Sequence, residues 1–348
     1  MPFARPADLA ACREMIRTGS RSFFMASLFL PSRMREAAYA LYAFCRLSDD
    51  EVDVAGGPED AVARLQGRLD RVYAGTPDAH AVDRALADTV ADYGVPKVLF
   101  EALLEGLHWD AIGRRYETLD EVQDYAARVA GSVGAMMAVL MGARSADMAA
   151  RACDLGAAMQ LTNIARDVGE DARMGRLYLP RRWLREAGLS PEAWLANPVA
   201  RPEIAAATER LLQEADALYA RADRGVAHLD PAFRPAIFAA RRLYCAIGDQ
   251  VRRNGLDNIN QRAVTPTWRK LGLLGLSLKS AAFVPAQISA VGPPLPQTAF
   301  LVRAVAEAPQ SPVEARQKGP KGVEGDMAWL VDLFTGMQAR SGLQRPSR

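Results

Sequence analysis

The chain has 348 residues, half of them hydrophobic, and its 43 basic and 41 acidic residues leave a net charge of +2. Such a small charge, with arginines dispersed along the chain, argues against a nucleic-acid partner. Long stretches rich in Ala, Leu, Arg and Glu, separated by Gly and Pro, predict an all-α fold with one helical domain over residues 1–266. Four isolated cysteines and three scattered histidines do not have the spacing of disulfide or zinc sites.

The first polar pattern lies just before an apolar run near the amino terminus. Ser20, Arg21 and Ser22 offer hydroxyl groups, backbone donors and one cation, which suit an anion such as a diphosphate. Alternatively, the serine is an ordinary helix cap. The pattern alone leaves both interpretations open.

An aspartate pair, Asp49 and Asp53, follows on the next predicted helix. Four residues of helix place two carboxylates on one face, roughly 6 Å apart along the axis. Arg46 and Tyr42 continue this polar stripe in a segment that is otherwise apolar and predicted to be buried. Either the pair binds a cation, or Arg46 neutralises Asp49 or Asp50 as an ordinary ion pair.

A second pair, Asp167 and Asp171, repeats this design further along the chain. Asn163 and Gln160 lie on the same predicted helix face, with Arg166 at its edge. Two such helices facing each other would form a cage of oxygen ligands that suits Mg²⁺, which also takes phosphate oxygens of a substrate. We therefore predict a site for Mg²⁺, or for Mn²⁺, made by Asp49, Asp53, Asn163, Asp167 and Asp171.

The predicted helix Ala130–Leu140 lies between the two acidic motifs and is rich in small residues. Gly131 and Gly134 there would let a hydrocarbon chain approach the backbone closely. They could equally serve the packing of one helix against another, and the sequence does not decide between these roles.

The carboxyl-terminal part has a different composition. Residues 267–284 are predicted to form an apolar helix that packs on the core or lies on a membrane surface with Trp268 at its edge. Their longest apolar stretch is far shorter than the roughly 20 residues that span a bilayer. Residues 285–348 are rich in Pro and Gly and are predicted to be largely disordered, with a short helix at residues 326–338. The first residues lack the apolar core of a secretory signal, so a cytoplasmic location is expected, with membrane association left open.

Four ordered segments resemble the squalene/phytoene synthase family. Residues 20–31 resemble its amino-terminal substrate segment, YALYAFCRLSDDEVD its first aspartate motif, and residues 125–137 its middle helix. Residues 155–180 resemble its second signature, in wording closest to bacterial phytoene synthases. Together these segments cover roughly residues 12–266.

This resemblance implies a single-domain isoprenoid synthase, a class I terpenoid synthase-like helical bundle around a central cavity. It further implies a prenyltransferase that joins two geranylgeranyl diphosphates head to head, through a cyclopropylcarbinyl diphosphate, to give phytoene in the first step of carotenoid biosynthesis. NADPH is not expected. Two alternatives are a dehydrosqualene or squalene synthase acting on farnesyl diphosphate, and a non-catalytic family member used in assembly or partner binding.

The two polar helix faces that carry the aspartate pairs, together with the family resemblance, predict the residues of the active site. The catalytic residues are predicted to be Asp49, Asp53, Asp167, Asp171, Arg46 and Arg166. The prenyl diphosphate substrates are predicted to contact Ser20, Arg21, Ser22, Tyr42, Arg46, Gln160, Arg166 and Tyr244. Tyr244 can also be read as a hydrogen-bonded core residue. The oligomeric state is not predicted.

Overall fold

The structure is a computed structural model that describes residues 2–54, 58–283 and 292–309. Within these ranges the chain is helical and contains no β-strand, which confirms the predicted all-α class. The α-helices are α1 (Pro6–Gly19), α2 (Arg21–Ser27), α3 (Ser32–Val54), α4 (Pro58–Tyr73), α5 (Ala81–Tyr93), α6 (Lys97–Ala111), α7 (Leu119–Ala126), α8 (Ser132–Leu140), α9 (Ala146–Arg173), α10 (Arg181–Glu186), α11 (Pro191–Ala196), α12 (Pro202–Val226), α13 (Arg234–Arg253), α14 (Thr267–Ala282) and α15 (Ala299–Glu307).

Helix α9 is 28 residues long and carries the second acidic motif near its end. Ser145 caps its first turn by accepting a hydrogen bond from the Met148 backbone N–H at 3.3 Å, and Asp147 complements the positive end of the helix dipole. Helix α7 begins with a capping box between Thr118 and Glu121. It continues through a π-helical turn, Ala127–Gly131, directly into α8.

Two glycines let the α7–α8 segment cross α9 at very short distance. A Cβ atom on Gly134 would lie 2.2 Å from the Ala152 carbonyl oxygen, and one on Gly156 would lie 2.2 Å from the Ala130 carbonyl oxygen. No side chain fits at either position. Gly134 therefore serves helix packing, although it also lines the cavity described below, whereas a Cβ on Gly131 would make only ordinary contacts at 3.6 Å.

The buried side chains form two groups, and a cavity lies between them. One group is centred on α1, α3, α5 and α6 and the other on α9, α12 and α13. The cavity has a volume of about 330 Å³ and an almost entirely apolar lining. Leu41 lines it from the first group and Met159 from the second. The predicted helical bundle with a central cavity is therefore observed.

The carboxyl-terminal part is more ordered than predicted. Helix α14 packs on α13 with Leu274 and Ser277 buried. Residues 292–309 form a 3₁₀ turn and α15, which packs on α8 and α9 and buries Leu301 and Val305 completely. The predicted disorder thus does not hold for residues 292–309, because their apolar side chains pack into the core. The helix predicted at residues 326–338 lies outside the described residues. Among the described helices, none combines the length and apolar character needed to cross a bilayer.

Candidate active site

One face of α9 runs along the cavity and becomes polar towards its carboxyl end. Gln160 and Asn163 line the cavity, and the Asn163 amide Nδ2 donates to Gln160 Oε1 at 3.4 Å. Asn163 Oδ1 is buried and accepts no hydrogen bond from the residues that the structure describes. A buried oxygen without a partner is costly, so this atom is suited to receive a cation or a donor from a ligand.

Asp167 lies one turn further along α9 and is held by two arginines. Its Oδ1 accepts hydrogen bonds from Arg166 Nε at 2.8 Å and from Arg262 Nε at 3.0 Å. Burial alone would raise the pKa of Asp167, but the hydrogen bonds and charges of the two guanidinium groups lower it below its usual value. Asp167 is therefore ionised at neutral pH. Arg262 also contacts Glu170, at 3.2 Å.

Asp171 lies a further turn along the same face of α9, and its pKa is shifted in the opposite direction from that of Asp167. Burial is the largest cause of its raised pKa, which reaches about 7, and the neighbouring charge of Asp167 adds to it. Arg176 opposes this shift only in part. No described side chain donates a hydrogen bond to the Asp171 carboxyl group. Asp171 is therefore only partly ionised at neutral pH.

Asp110, at the end of α6, joins the acidic residues of α9 to those of α3. It accepts hydrogen bonds from the hydroxyl groups of Tyr125 and Tyr178, both at 2.7 Å. Burial raises its pKa to about 6 despite these two hydrogen bonds, and the charge of Asp49 adds to the shift. Because Asp110 also raises the pKa of Asp171, the carboxyl groups of α3, α6 and α9 face a common space.

The first acidic motif lies at the end of α3, as predicted. Arg46 forms ion pairs with Asp49 at 3.3 Å and with Asp50 at 2.5 Å, so the simple ion-pair alternative is observed for this arginine. Asp53 belongs to the last turn of α3, and its side chain is outside the described part of the structure. Among the described side chains, no three His, Cys, Asp or Glu residues are placed to hold a metal ion.

The chemistry of these groups nevertheless fits a hard divalent cation. Burial is the main cause of the raised pKa values of Asp171 and Asp110, and neighbouring carboxyl groups add to it, so a divalent cation there would favour the ionised form of each. The unsatisfied Asn163 Oδ1 adds a neutral oxygen donor. Carboxylate and carbonyl oxygens are the ligands that Mg²⁺ prefers.

Cations gather beside this acidic region. Burial lowers the pKa of Lys270, at the start of α14, and the charges of Arg21 and Arg166 lower it further, so these three cations lie near one another. Among the described residues, neither Arg21 nor Lys270 has an ion-pair partner. Ser20 caps α2, because its hydroxyl oxygen accepts a hydrogen bond from the Phe23 backbone N–H at 3.3 Å. The helix-cap alternative is therefore observed for Ser20. The Ser22 side chain makes no hydrogen bond to a described residue.

Aromatic side chains close the polar end of the cavity. The Phe23 ring contacts Tyr42 edge-on at 6.5 Å and Tyr244 at 5.1 Å between centroids. Burial raises the pKa of Tyr244 to about 12, and its side chain also interacts with Asn163. Tyr244 is therefore buried, as the core alternative requires, and it also lies beside the predicted ligands.

The comparisons with known proteins agree with this geometry. The family model for squalene/phytoene synthase matches residues 16–269. The chain belongs to the squalene/phytoene synthase family. It is 54% identical to a phytoene synthase of Cereibacter sphaeroides over 87% of this chain and 89% of the relative, and 42% identical to a 15-cis-phytoene synthase of a Paracoccus species over 76% and 88%. The crystal structure of a dehydrosqualene synthase with a ligand is 32% identical, with a TM-score of 0.71 over 79% of this chain and 97% of that one.

For this member of the squalene/phytoene synthase family, the structure gathers most of the predicted site. The residues brought together around the polar end of the cavity are Tyr42, Asn163, Gln160, Arg166, Asp167, Asp171 and Tyr244, with Arg21 close to Lys270 and Asp49 close to Asp110. The sequence interpretation missed Asp110, Arg262 and Lys270 as site residues. None of the three belongs to a spaced acidic pair, so the signal that led to the other residues was not available for them.

Proposed function

We propose that this enzyme condenses two geranylgeranyl diphosphates head to head to form phytoene. The observation that carries the proposal is the junction of an apolar cavity with an acidic cluster and a group of cations. An amphiphile with a long hydrocarbon tail and a diphosphate head would match both parts. The relatives named phytoene synthase, at up to 54% identity over most of the chain, support this substrate and product.

The reaction requires two ionisations. In the first, one substrate loses pyrophosphate and its allyl cation alkylates the double bond of the second substrate; loss of a proton gives a cyclopropylcarbinyl diphosphate. In the second, this intermediate loses pyrophosphate, rearranges and loses another proton to give the linear C40 product. Two pyrophosphates and two protons are released, and no reductant is consumed.

The cations of this chain would bind the leaving groups. Arg21, Lys270 and Arg166 carry positive charge to one place, and a diphosphate would supply the counter-charge that Arg21 and Lys270 lack among the described residues. Arg262, about half exposed and paired with Asp167, would reach the same anion by exchanging its carboxylate partner for a phosphate oxygen. Positive groups placed where negative charge develops favour ionisation.

Asp49, Asp53, Asn163, Asp167 and Asp171 are the proposed ligands of Mg²⁺, or of Mn²⁺. When bound, the ion supplies Lewis-acid stabilisation of the departing pyrophosphate. The rest of the cavity excludes water from the allyl cation, since its lining is almost entirely apolar. Burial raises the pKa of Tyr244 to about 12, so this tyrosine is neutral at the pH of the reaction and would present its aromatic face to the cations.

A second candidate function is dehydrosqualene or squalene synthesis from farnesyl diphosphate. The similarity to the dehydrosqualene synthase structure favours it, because 32% identity over 79% of the chain places the two enzymes on the same scaffold. Its C15 substrate carries one isoprene unit fewer, so the two functions differ in the length of chain accepted and not in the polar site.

Product identification distinguishes these functions. Purified protein with Mg²⁺ should convert geranylgeranyl diphosphate to phytoene at the same rate with and without NADPH. Given both diphosphates, it should make mainly the C40 hydrocarbon. A dominant C30 product would establish the second function, and a rate that depends on NADPH would show that the last cation is reduced.

We further propose that the enzyme works from the cytoplasm against an anionic membrane surface, through one face of α14. Trp268 and Phe283 are each about three-quarters exposed, at 75% and 76%, and Leu276 lies exposed between them along the helix. Lys279 lies on the same exposed face. Aromatic and basic residues on one helix face suit the headgroup region of a bilayer, where a C40 hydrocarbon product would be released.

Vesicle flotation tests this contact. The double variant Trp268→Ser and Phe283→Ser should lose most of its binding to vesicles containing anionic lipid, while the control Val199→Ser, which removes an apolar side chain that is 41% exposed, should bind like the wild type. Equal binding of all three proteins would exclude this face. Binding that does not depend on the anionic lipid would exclude the proposed role of Lys279.

A further inference from the structure

The cavity has a far end that contains a buried arginine. The α9 residues that line it extend from Asn163 back to Met148, 15 residues and therefore roughly 22 Å along the helix axis. Asn163 marks the polar end. At the opposite end the lining includes Met148, Arg151 and Ala152 of α9 together with Gly225 and Leu229 near the end of α12.

Arg151 is only 4% exposed, and a polar network holds its guanidinium in place. Arg151 Nε pairs with Asp154, which is fully buried, at 2.8 Å, and Arg151 Nη2 lies 3.4 Å from the Pro293 carbonyl oxygen. Arg221 reaches the same two partners, at 3.0 Å and 2.8 Å. Pro293 belongs to the carboxyl-terminal segment, which lies beyond the residues 16–269 matched by the family model.

The aliphatic stem of Arg151 faces α12. Gly225 makes room for it, since a Cβ on this glycine would lie 2.6 Å from Arg151 Cβ and 2.9 Å from its Cγ. The guanidinium is held by Asp154 and Pro293, and the aliphatic stem packs against Gly225. The side chain therefore has a fixed position at the boundary between the cavity and the segment 292–309.

We propose that Arg151, with Met148 beside it, forms the floor of the prenyl cavity and sets the longest chain that the enzyme accepts, with residues 292–309 fixing the position of Arg151 through Pro293. This inference rests on the proposed function, because it assigns the cavity to the prenyl tail. A hydrocarbon tail extends from the polar end until it meets the stem of Arg151. Shortening that stem lengthens the cavity, and enlarging a side chain just above it shortens the cavity.

Substrate competition among C15, C20 and C25 prenyl diphosphates measures the effect. Arg151→Ala should raise kcat/KM for the C25 substrate relative to C20 by at least tenfold, because Asp154 and Pro293 keep Arg221 as a partner and only the floor is removed. Arg151→Met, which retains an unbranched stem, should keep this ratio within about threefold of the wild type. Arg224→Ala, which removes an exposed arginine on α12, is the control and should leave the ratio unchanged.

The cavity can also be shortened, by enlarging the side chain at position 152. Ala152 follows Arg151 on α9 and also lines the cavity. Ala152→Leu should raise kcat/KM for C15 relative to C20 by at least tenfold, whereas Ala146→Leu, exposed at the start of the same helix, should not. Circular dichroism and thermal unfolding identify any variant that does not fold. If Arg151→Ala does not fold, Ala152→Leu decides the question.

The outcomes separate this inference from the proposed function. A wild-type enzyme that makes no C40 hydrocarbon from the C20 substrate would overturn the proposed function, whatever the variants do. A wild-type enzyme that makes phytoene, with folded variants at both positions that keep the wild-type chain-length ratios, would overturn the assignment of Arg151 as the floor.

Discussion

Asp167 and Asp171 lie one helical turn apart on the same face of α9 and have opposite pKa shifts. Two arginines lower the pKa of Asp167, whereas burial and the charge of Asp167 raise that of Asp171 to about 7. A purely structural pair would be neutralised at both positions. The unequal pair fits a site in which the second carboxylate is completed by a ligand that the protein does not supply.

This relationship predicts a pH dependence of stability. The folded-state pKa of Asp171 lies above its unfolded value of about 4, so its contribution to the free energy of unfolding is complete below pH 4 and is lost as pH rises through 7. Chemical denaturation from pH 4 to 8 should show that Asp171→Asn removes this loss and is more stable than the wild type by about 1–3 kcal/mol at pH 8. Equal pH profiles for the two proteins would contradict the raised pKa.

Magnesium should act in the same pH range. Because the ion binds the ionised carboxylate, added Mg²⁺ should raise the unfolding temperature of the wild type more at pH 8 than at pH 6. Asp171→Asn should respond much less at both pH values. A thermal shift with Mg²⁺ that is the same in the wild type and the variant would place the cation elsewhere.

The arginine at position 166 should not be replaceable by lysine. Its guanidinium contacts Asp167 through two nitrogens and lies near Lys270, so Arg166→Lys loses the fork geometry while keeping the charge. We expect a loss of about 1–3 kcal/mol of transition-state stabilisation, measured as kcat/KM, with little change in the unfolding temperature. Arg64→Lys, at an exposed position of helix α4, is the matched control. Wild-type turnover by Arg166→Lys would leave Arg166 with a structural role only.

Asp110 should be needed for the arrangement of the tyrosines beside the acidic cluster. Asp110→Ala removes the acceptor of two hydroxyl groups, those of Tyr125 and Tyr178, and should lower the free energy of unfolding by about 1–3 kcal/mol. Asp110→Asn keeps one acceptor oxygen and should cost less. Denaturant titration of both variants measures this difference, and equal stability of Asp110→Ala and the wild type would show that the two hydrogen bonds are not structurally important.

The crossing of α8 and α9 gives a prediction about packing. Gly156→Ala would place a methyl group 2.2 Å from the Ala130 carbonyl oxygen, a backbone atom that cannot move away independently. We expect a loss of about 1–3 kcal/mol or more in the free energy of unfolding. Gly272→Ala, at a helical position with open space around it, should instead be neutral or stabilising by up to about 1 kcal/mol. Thermal denaturation compares the two, and similar stability losses would contradict the close crossing.

The helical class and the α9 stripe could be predicted from the sequence, because each depends on residues close together in the chain, whereas the central cavity was implied by the family resemblance. Helical periodicity alone places Gln160, Asn163 and Asp167 on one face. It cannot predict Asp110, Arg262 or Lys270, because these residues reach the site only through long-range packing, that of α6 on α8 and of α14 on α13, and through the loop between α13 and α14. The order of residues 292–309 was missed for a similar reason: the burial of Leu301 depends on a surface formed by helices far away in sequence.

The most direct test of the acidic site is Asp171→Asn, followed by two measurements: pyrophosphate release with geranylgeranyl diphosphate and Mg²⁺, and thermal unfolding of the same protein without Mg²⁺ or substrate. Pyrophosphate release reports ionisation of the substrate, and thermal unfolding reports the fold. A site built to hold a cation and a leaving group predicts a variant that unfolds at a higher temperature than the wild type at pH 8 and releases almost no pyrophosphate. A variant that keeps most of its pyrophosphate release, or that loses stability together with activity, would contradict this account.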